Sequence, residues 1–149
     1  MNDEKANAIA IDAMPARRWL PVTRMLVGKL EALLAANVPA ELPAGVTLNF
    51  RDPSYSAESG GFHPVEIRME PTAVDGPWRI SYITDFAFFG RPYPELEKDI
   101  DFNFVTGEGY QAFVGYHPLR NFSGIYRMWE GNFRSYLNSN IFQITITWD

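Results

Sequence analysis

His63 is one of two histidines in a 149-residue chain, and it stands in the run Asn49–Ile67 with Asp52, Tyr55, Glu58 and Glu66 close by. Imidazole titrates nearest to neutral pH, so a histidine among carboxylates is a natural proton carrier. A site of His63, Asp52, Glu58 and the more distant Asp85 could serve a small-ligand binder or a hydrolase-type enzyme. Two features oppose catalysis. Glu66 lies three residues from His63 on an expected strand and so faces the other way. Ser54, Ser56 and Ser59 sit in no nucleophile elbow, and Gly60-Gly61 lacks the spacing and following lysine of a phosphate cradle. The preferred role for His63 is structural, hydrogen-bonded to the 52–61 loop.

The other chemical candidates are carboxylates. Asp99 and Asp101 share one face of an expected strand and, with Glu95 or Glu97, offer oxygen ligands to a hard cation. The Gly-punctuated loop of a calcium site is missing, so a solvated acidic face is the expectation. His63 and His117 are too few for zinc unless carboxylates complete the set. Neither a metal nor a cofactor is expected. Asp85 lies among Tyr82, Ile83, Phe86, Phe88 and Phe89, where a carboxylate needs a donor, and Arg51, Arg68 and Arg79 are the expected partners. The absence of cysteine removes disulfides, thiolate nucleophiles and Cys-ligated metals.

These side chains must be positioned by elements that the apolar periodicity outlines. Val22, Met25, Leu26, Leu30, Leu33 and Leu34 recur at helical spacing, which predicts a helix over residues 17–36 with Pro21 in its first turn. From Val46 the period becomes two. Strands are expected over Val46–Arg51, Phe62–Met69, Trp78–Phe89, Ile100–Phe104, Tyr110–Tyr116 and Ile141–Trp148, with a short turn at Pro94–Lys98. Phe122, Ile125, Trp129, Phe133 and Leu137 form a second helical stripe, capped at Asn121 or Ser123, with Arg127, Glu130 and Arg134 turned elsewhere. The order α-β-β-β-β-β-α-β predicts an α+β fold in which helices cover one face of a twisted antiparallel sheet. The other face would present Asp99, Asp101, Thr145 and Thr147. Residues 1–14 are expected to be a mobile arm and residues 15–149 a single domain.

Charge narrows the partners. The chain carries net −5, but residues 52–111 hold eleven acidic and only four basic groups. Nucleic-acid binding needs a concentrated basic face, and none is present; Arg17, Arg18 and Arg24 read as a solvated helix entrance. No stretch approaches the ~20 apolar residues of a membrane span. The first 14 residues lack the basic start and apolar centre of a secretory signal, so a soluble cytoplasmic protein is expected.

The blocks Asn49–Ser56, Gly60–Glu66, Tyr82–Phe86 and Glu95–Phe102 resemble a bacterial domain-of-unknown-function family found among genomic-island and mobile-element proteins. The resemblance runs from about residue 40 to the C-terminus. It implies the fold of an acidic mitochondrial matrix protein that also binds the globular heads of a complement component, a twisted antiparallel sheet flanked by helices. That protein is a binding scaffold without established catalytic residues, so the resemblance transfers none, and its ring-shaped trimer does not follow from acidity alone.

The combined expectation is a non-enzymatic binding or scaffold module. It would engage a protein, or a second copy of itself, through an acidic sheet face or the 52–61 loop. Asp52, Tyr55, Glu58, His63, Asp85, Asp99 and Asp101 are the candidate binding residues. The competing expectation is the small-ligand or hydrolase site around His63.

Overall fold

The period-two stretches form seven strands: β1 (Val46–Arg51), β2 (Val65–Pro71), β3 (Trp78–Phe89), β4 (Glu95–Asn103), β5 (Glu108–Gln111), β6 (Gly115–Pro118) and β7 (Gln143–Trp148). The computed structural model of the protein describes residues 9–36, 38–41 and 43–149. All neighbouring strands pair antiparallel, in the spatial order β6-β5-β4-β3-β2-β1-β7. Among the described residues three helices accompany the sheet: α1 (Met14–Arg17), α2 (Arg24–Ala35) and α3 (Ser123–Asn138), the last preceded by a 3-10 turn at Leu119–Phe122. The fold class is α+β, a single antiparallel sheet with helices at its N- and C-terminal ends.

The core lies between the helices and one sheet face. Val46, Leu48 and Phe50 of β1 and Val65, Ile67 and Met69 of β2 are buried, while the residues between them are not. Leu26, Leu30 and Leu34 of α2 and Tyr126, Trp129 and Phe133 of α3 meet them in one apolar cluster. Full burial of each such side chain contributes about 1.5–3 kcal/mol relative to exposure. Among the described residues, no helix covers the opposite sheet face.

Several local expectations are corrected. The first helix does not run unbroken over residues 17–36: α1 ends at Arg17, and α2 starts only after Thr23, whose side chain accepts from Leu26 N at 3.1 Å. Pro21 therefore falls in the break rather than in a first turn. The described part of the expected mobile arm is packed, because Ile9 and Ile11 are buried and the chain bridges β3. Trp78 N donates to Ala10 O and Asp12 N donates to Trp78 O, each at 2.8 Å. Residues 1–8 lie outside the described residues.

The expected turn at Pro94–Lys98 is strand, since β4 already pairs from Glu95 opposite Phe89. Strand β2 begins at Val65, after Pro64, a residue that cannot donate to a ladder. Tyr110–Tyr116 is two strands rather than one, because residues 112–114 turn between β5 and β6. The α3 N-cap is Phe122, without a side-chain cap bond, instead of Asn121 or Ser123.

Candidate functional site

The 52–61 loop is closed by the side chain of Asp52. One oxygen accepts from Ser54 N at 2.9 Å and Ser54 Oγ at 2.7 Å, and the other accepts from Phe62 N at 3.1 Å. This is an Asx-type turn that fixes both ends of the loop. Gly61, at φ 134°, lies so close that a Cβ there would sit 2.9 Å from Asp52 Oδ2. Ser56 and Ser59 pair within the loop, and Glu58 is exposed in it.

The donors hold the Asp52 carboxyl below its ordinary value of 3.8, with the Ser54 hydroxyl the largest cause and burial opposing. A lowered folded-state pKa stabilises the fold above the ordinary value, and the contribution fades as pH falls through the lowered one. Asp52→Asn is therefore expected to cost stability at neutral pH and to flatten the loss on acidification. Urea midpoints of both proteins between about pH 7 and pH 2 check this; parallel curves would contradict it.

Just beyond the loop, three groups meet on the helix side of the sheet. Pro64 O accepts from Phe86 N at 2.9 Å, which sets His63 beside the end of the β2–β3 ladder where Asp85 stands opposite Val65. His63 Nδ1 lies 2.7 Å from Asp85 Oδ1. The β3–β4 register shifts between Asp85 and Phe86, from Asp85↔Ile100 to Phe86↔Lys98, leaving Asp99 as the extra residue of a bulge. Asp99 Oδ2 thereby comes within 3.6 Å of His63 Nδ1. From α3, Trp129 Nε1 donates to Asp85 Oδ2 at 3.0 Å. The imidazole is held above its ordinary pKa, first by the bond to Asp85, against burial and with help from both carboxylate charges. Burial, then the charge of Asp85, pushes the Asp99 carboxyl up. A cavity of about 300 Å3 opens beside these groups, rimmed by Asn132 and Tyr136 of α3.

The uncovered face holds a second concavity, of about 600 Å3, between the loop and the sheet. Its apolar lining includes Tyr55, Phe86, Phe88 and Leu96, with Glu66 and Arg51 alongside. Tyr55 stacks on Phe88 with ring centroids 5.2 Å apart and lies 5.5 Å from the His63 ring, so the loop borders both cavities.

The structure thus gathers His63, Asp85 and Asp99, with Tyr55 adjacent, and separates the rest. Of the four residues in the expected ligand or hydrolase site, Asp52 closes the loop and Glu58 points to solvent; only His63 and Asp85 converge. The bond of His63 goes to Asp85 instead of to the loop. Asp85 is satisfied by His63 and Trp129 rather than by Arg51, Arg68 or Arg79. Asp99 and Asp101 do not share a face, because the bulge separates them: Asp101 accepts from Thr84 Oγ1 at 2.6 Å on the uncovered side.

Glu130, expected to turn away with Arg127 and Arg134, is 1% exposed. The only sequence signal for it is the spacing Tyr126, Glu130, Arg134, which places a hydroxyl and a guanidinium one helical turn to either side.

The family model described as a protein of unknown function, DUF2787, matches residues 24–147. The chain belongs to the DUF2787 family. A solved structure of a hypothetical protein from the VSP-II pathogenicity island of Vibrio cholerae is 42% identical, with a TM-score of 0.76, over 86% of this chain and 95% of that one. A second, a conserved hypothetical protein from pathogenicity island VPI-2 of Vibrio cholerae, is 40% identical with a TM-score of 0.70, again over 86% of this chain and 95% of that one. The second is described as sharing structural homology with the human P32 protein. No curated protein matches. Among the described residues of this DUF2787 chain, no helix is long and apolar enough to cross a membrane.

Proposed function

We propose that the protein is a binding module that takes a segment of a partner protein into the groove of Tyr55, Phe86, Phe88 and Leu96. The observation that carries this is a sheet face that no helix of the described residues covers, with an apolar concavity of about 600 Å3 at its end beside the 52–61 loop. Apolar rings at the centre of a concave, polar-edged surface are the features of a recognition site. Charge indicates the occupant. Residues 52–111, which build most of the groove, carry eleven acidic and four basic groups, and one of the four, Arg68, is already paired to Asp149 at 2.5 Å. Glu66 lines the groove, and Asp101 stands on the same face of the sheet. The fitting segment has an apolar side chain next to lysine or arginine, steered by the acidic surroundings.

Defined peptides that combine Leu or Phe with Lys or Arg, presented to the purified protein, test this. Binding is expected to weaken with salt and to fall about tenfold or more with Leu96→Glu, which puts a charge among the apolar side chains that a bound segment would cover, where a hot spot contributes roughly 2 kcal/mol or more. Equal binding of acidic and basic peptides, or indifference to Leu96→Glu, would count against the module.

A further inference from the structure

On the opposite side of the sheet, we propose that His63 Nδ1, Asp85 Oδ1 and Asp99 Oδ2 form a binding site for one divalent first-row transition ion such as Zn2+ or Mn2+. The three atoms lie within 4.8 Å of one another. His63 Nδ1 is 2.7 Å from Asp85 Oδ1 and 3.6 Å from Asp99 Oδ2. Metal–ligand bonds of ~2.0–2.2 Å place neighbouring ligands about 3 Å apart, so small rotations of the side chains admit an ion where a proton now sits between imidazole and carboxylate.

Three further features separate this cluster from an ordinary acidic surface. Asp85 is buried, and its second oxygen is fixed by the Trp129 indole, the outer hydrogen bond that orients a ligating carboxylate. The Asp99 carboxylate is partly exposed to the cavity and accepts no hydrogen bond among the described residues, so its oxygens are open to a ligand. Beside the three ligand atoms is an open cavity, with Asn132 and Tyr136 at its rim, that accommodates the water or ligand oxygens needed to complete a coordination shell. With imidazole neutral, two carboxylates match a divalent charge. One nitrogen among oxygen donors favours a transition ion over Ca2+ or Mg2+, which take oxygen ligands. The three ligands come from the segment leading into β2, the end of the β2–β3 ladder and the bulge of β4, so no local spacing motif announces them.

The test uses the full chain freed of metal with a chelator. Zn2+ and Mn2+ are titrated calorimetrically and followed by thermal unfolding, with Mg2+ alongside. One saturating equivalent of Zn2+ or Mn2+ and a raised unfolding temperature are expected, because an ion that binds only the folded chain stabilises it. Asp99→Asn, at a side chain without hydrogen bonds to lose, is expected to weaken binding about tenfold or more, while Asp101→Asn on the other face leaves it unchanged. Absence of saturable uptake up to about 1 mM ion, a binding free energy of only about −4 kcal/mol, would overturn the assignment. So would Asp99→Asn binding as tightly as the wild type, which would place the ion elsewhere.

Discussion

Glu130→Ala is expected to lower unfolding stability by about 3–5 kcal/mol, the range for removing one partner of a buried charged network. Glu130 accepts from Thr23 N at 2.9 Å, Thr23 Oγ1 at 2.7 Å, Tyr126 Oη at 2.9 Å and Arg134 Nε at 2.9 Å. One carboxylate therefore ties the start of α2 to the middle of α3. Arg134 reaches solvent and can recover hydration. Tyr126 cannot, because it is fully buried, and burial followed by the charge of Glu130 holds its hydroxyl far up as a neutral donor. Leaving such a donor without an acceptor costs about 1–3 kcal/mol, and the Thr23 amide adds to it.

Urea unfolding is the direct measurement. Thr23→Val combined with Glu130→Ala should cost less than the sum of the two single changes, because both remove the bond from Thr23 Oγ1 to Glu130. A loss below about 1 kcal/mol for Glu130→Ala would mean that water replaces the carboxylate and that the tie between the helices is not structural.

Phe50→Ala is expected to cost a similar amount, about 3–5 kcal/mol. Phe50 is fully buried at the centre of the helix-covered face. Its ring meets Phe133 edge-on with centroids 5.0 Å apart and Phe142 at 6.0 Å. Phe133 in turn stacks on Trp129 at 4.9 Å. Alanine removes the ring that supports this group of aromatics and leaves a void, whereas Phe50→Leu retains much of the buried volume and should cost less than about 2 kcal/mol. Denaturant midpoints give the energies. Near-ultraviolet circular dichroism should also change in Phe50→Ala, since Trp129 loses its fixed neighbours; an unaltered spectrum with a cost under about 1 kcal/mol would show that the aromatics repack freely.

Much of the fold was legible because strands and helices are written in short periods. Val46, Leu48 and Phe50 alternate with polar residues whatever surrounds them, and β1 forms there. Phe122, Ile125, Trp129 and Phe133 keep helical spacing, and the burial of Phe122, Trp129 and Phe133 and the partial burial of Ile125 follow from it. Legibility stopped where a local pattern had two outcomes. Pro21 suits a first helical turn as well as the break that it occupies, and Pro94–Lys98 reads as a turn until pairing with β3 makes it strand. The charged residues of α3 carried the least information, because periodicity cannot tell that an acceptor at position 130 will meet a helix start 107 residues earlier.

The sequence by itself determined the α+β class, the helix-covered and uncovered sheet faces and the acidic middle segment, since composition and period are local properties. Tertiary structure alone decided which carboxylates stand beside His63. His63 and Asp85 are 22 residues apart and meet through the antiparallel β2–β3 register. Asp99 joins them because one extra residue in β4 turns it away from the face of Asp101. A strand's side-chain period is two, so a single bulge changes which face a residue serves, and that bulge exists only in the pairing of two strands.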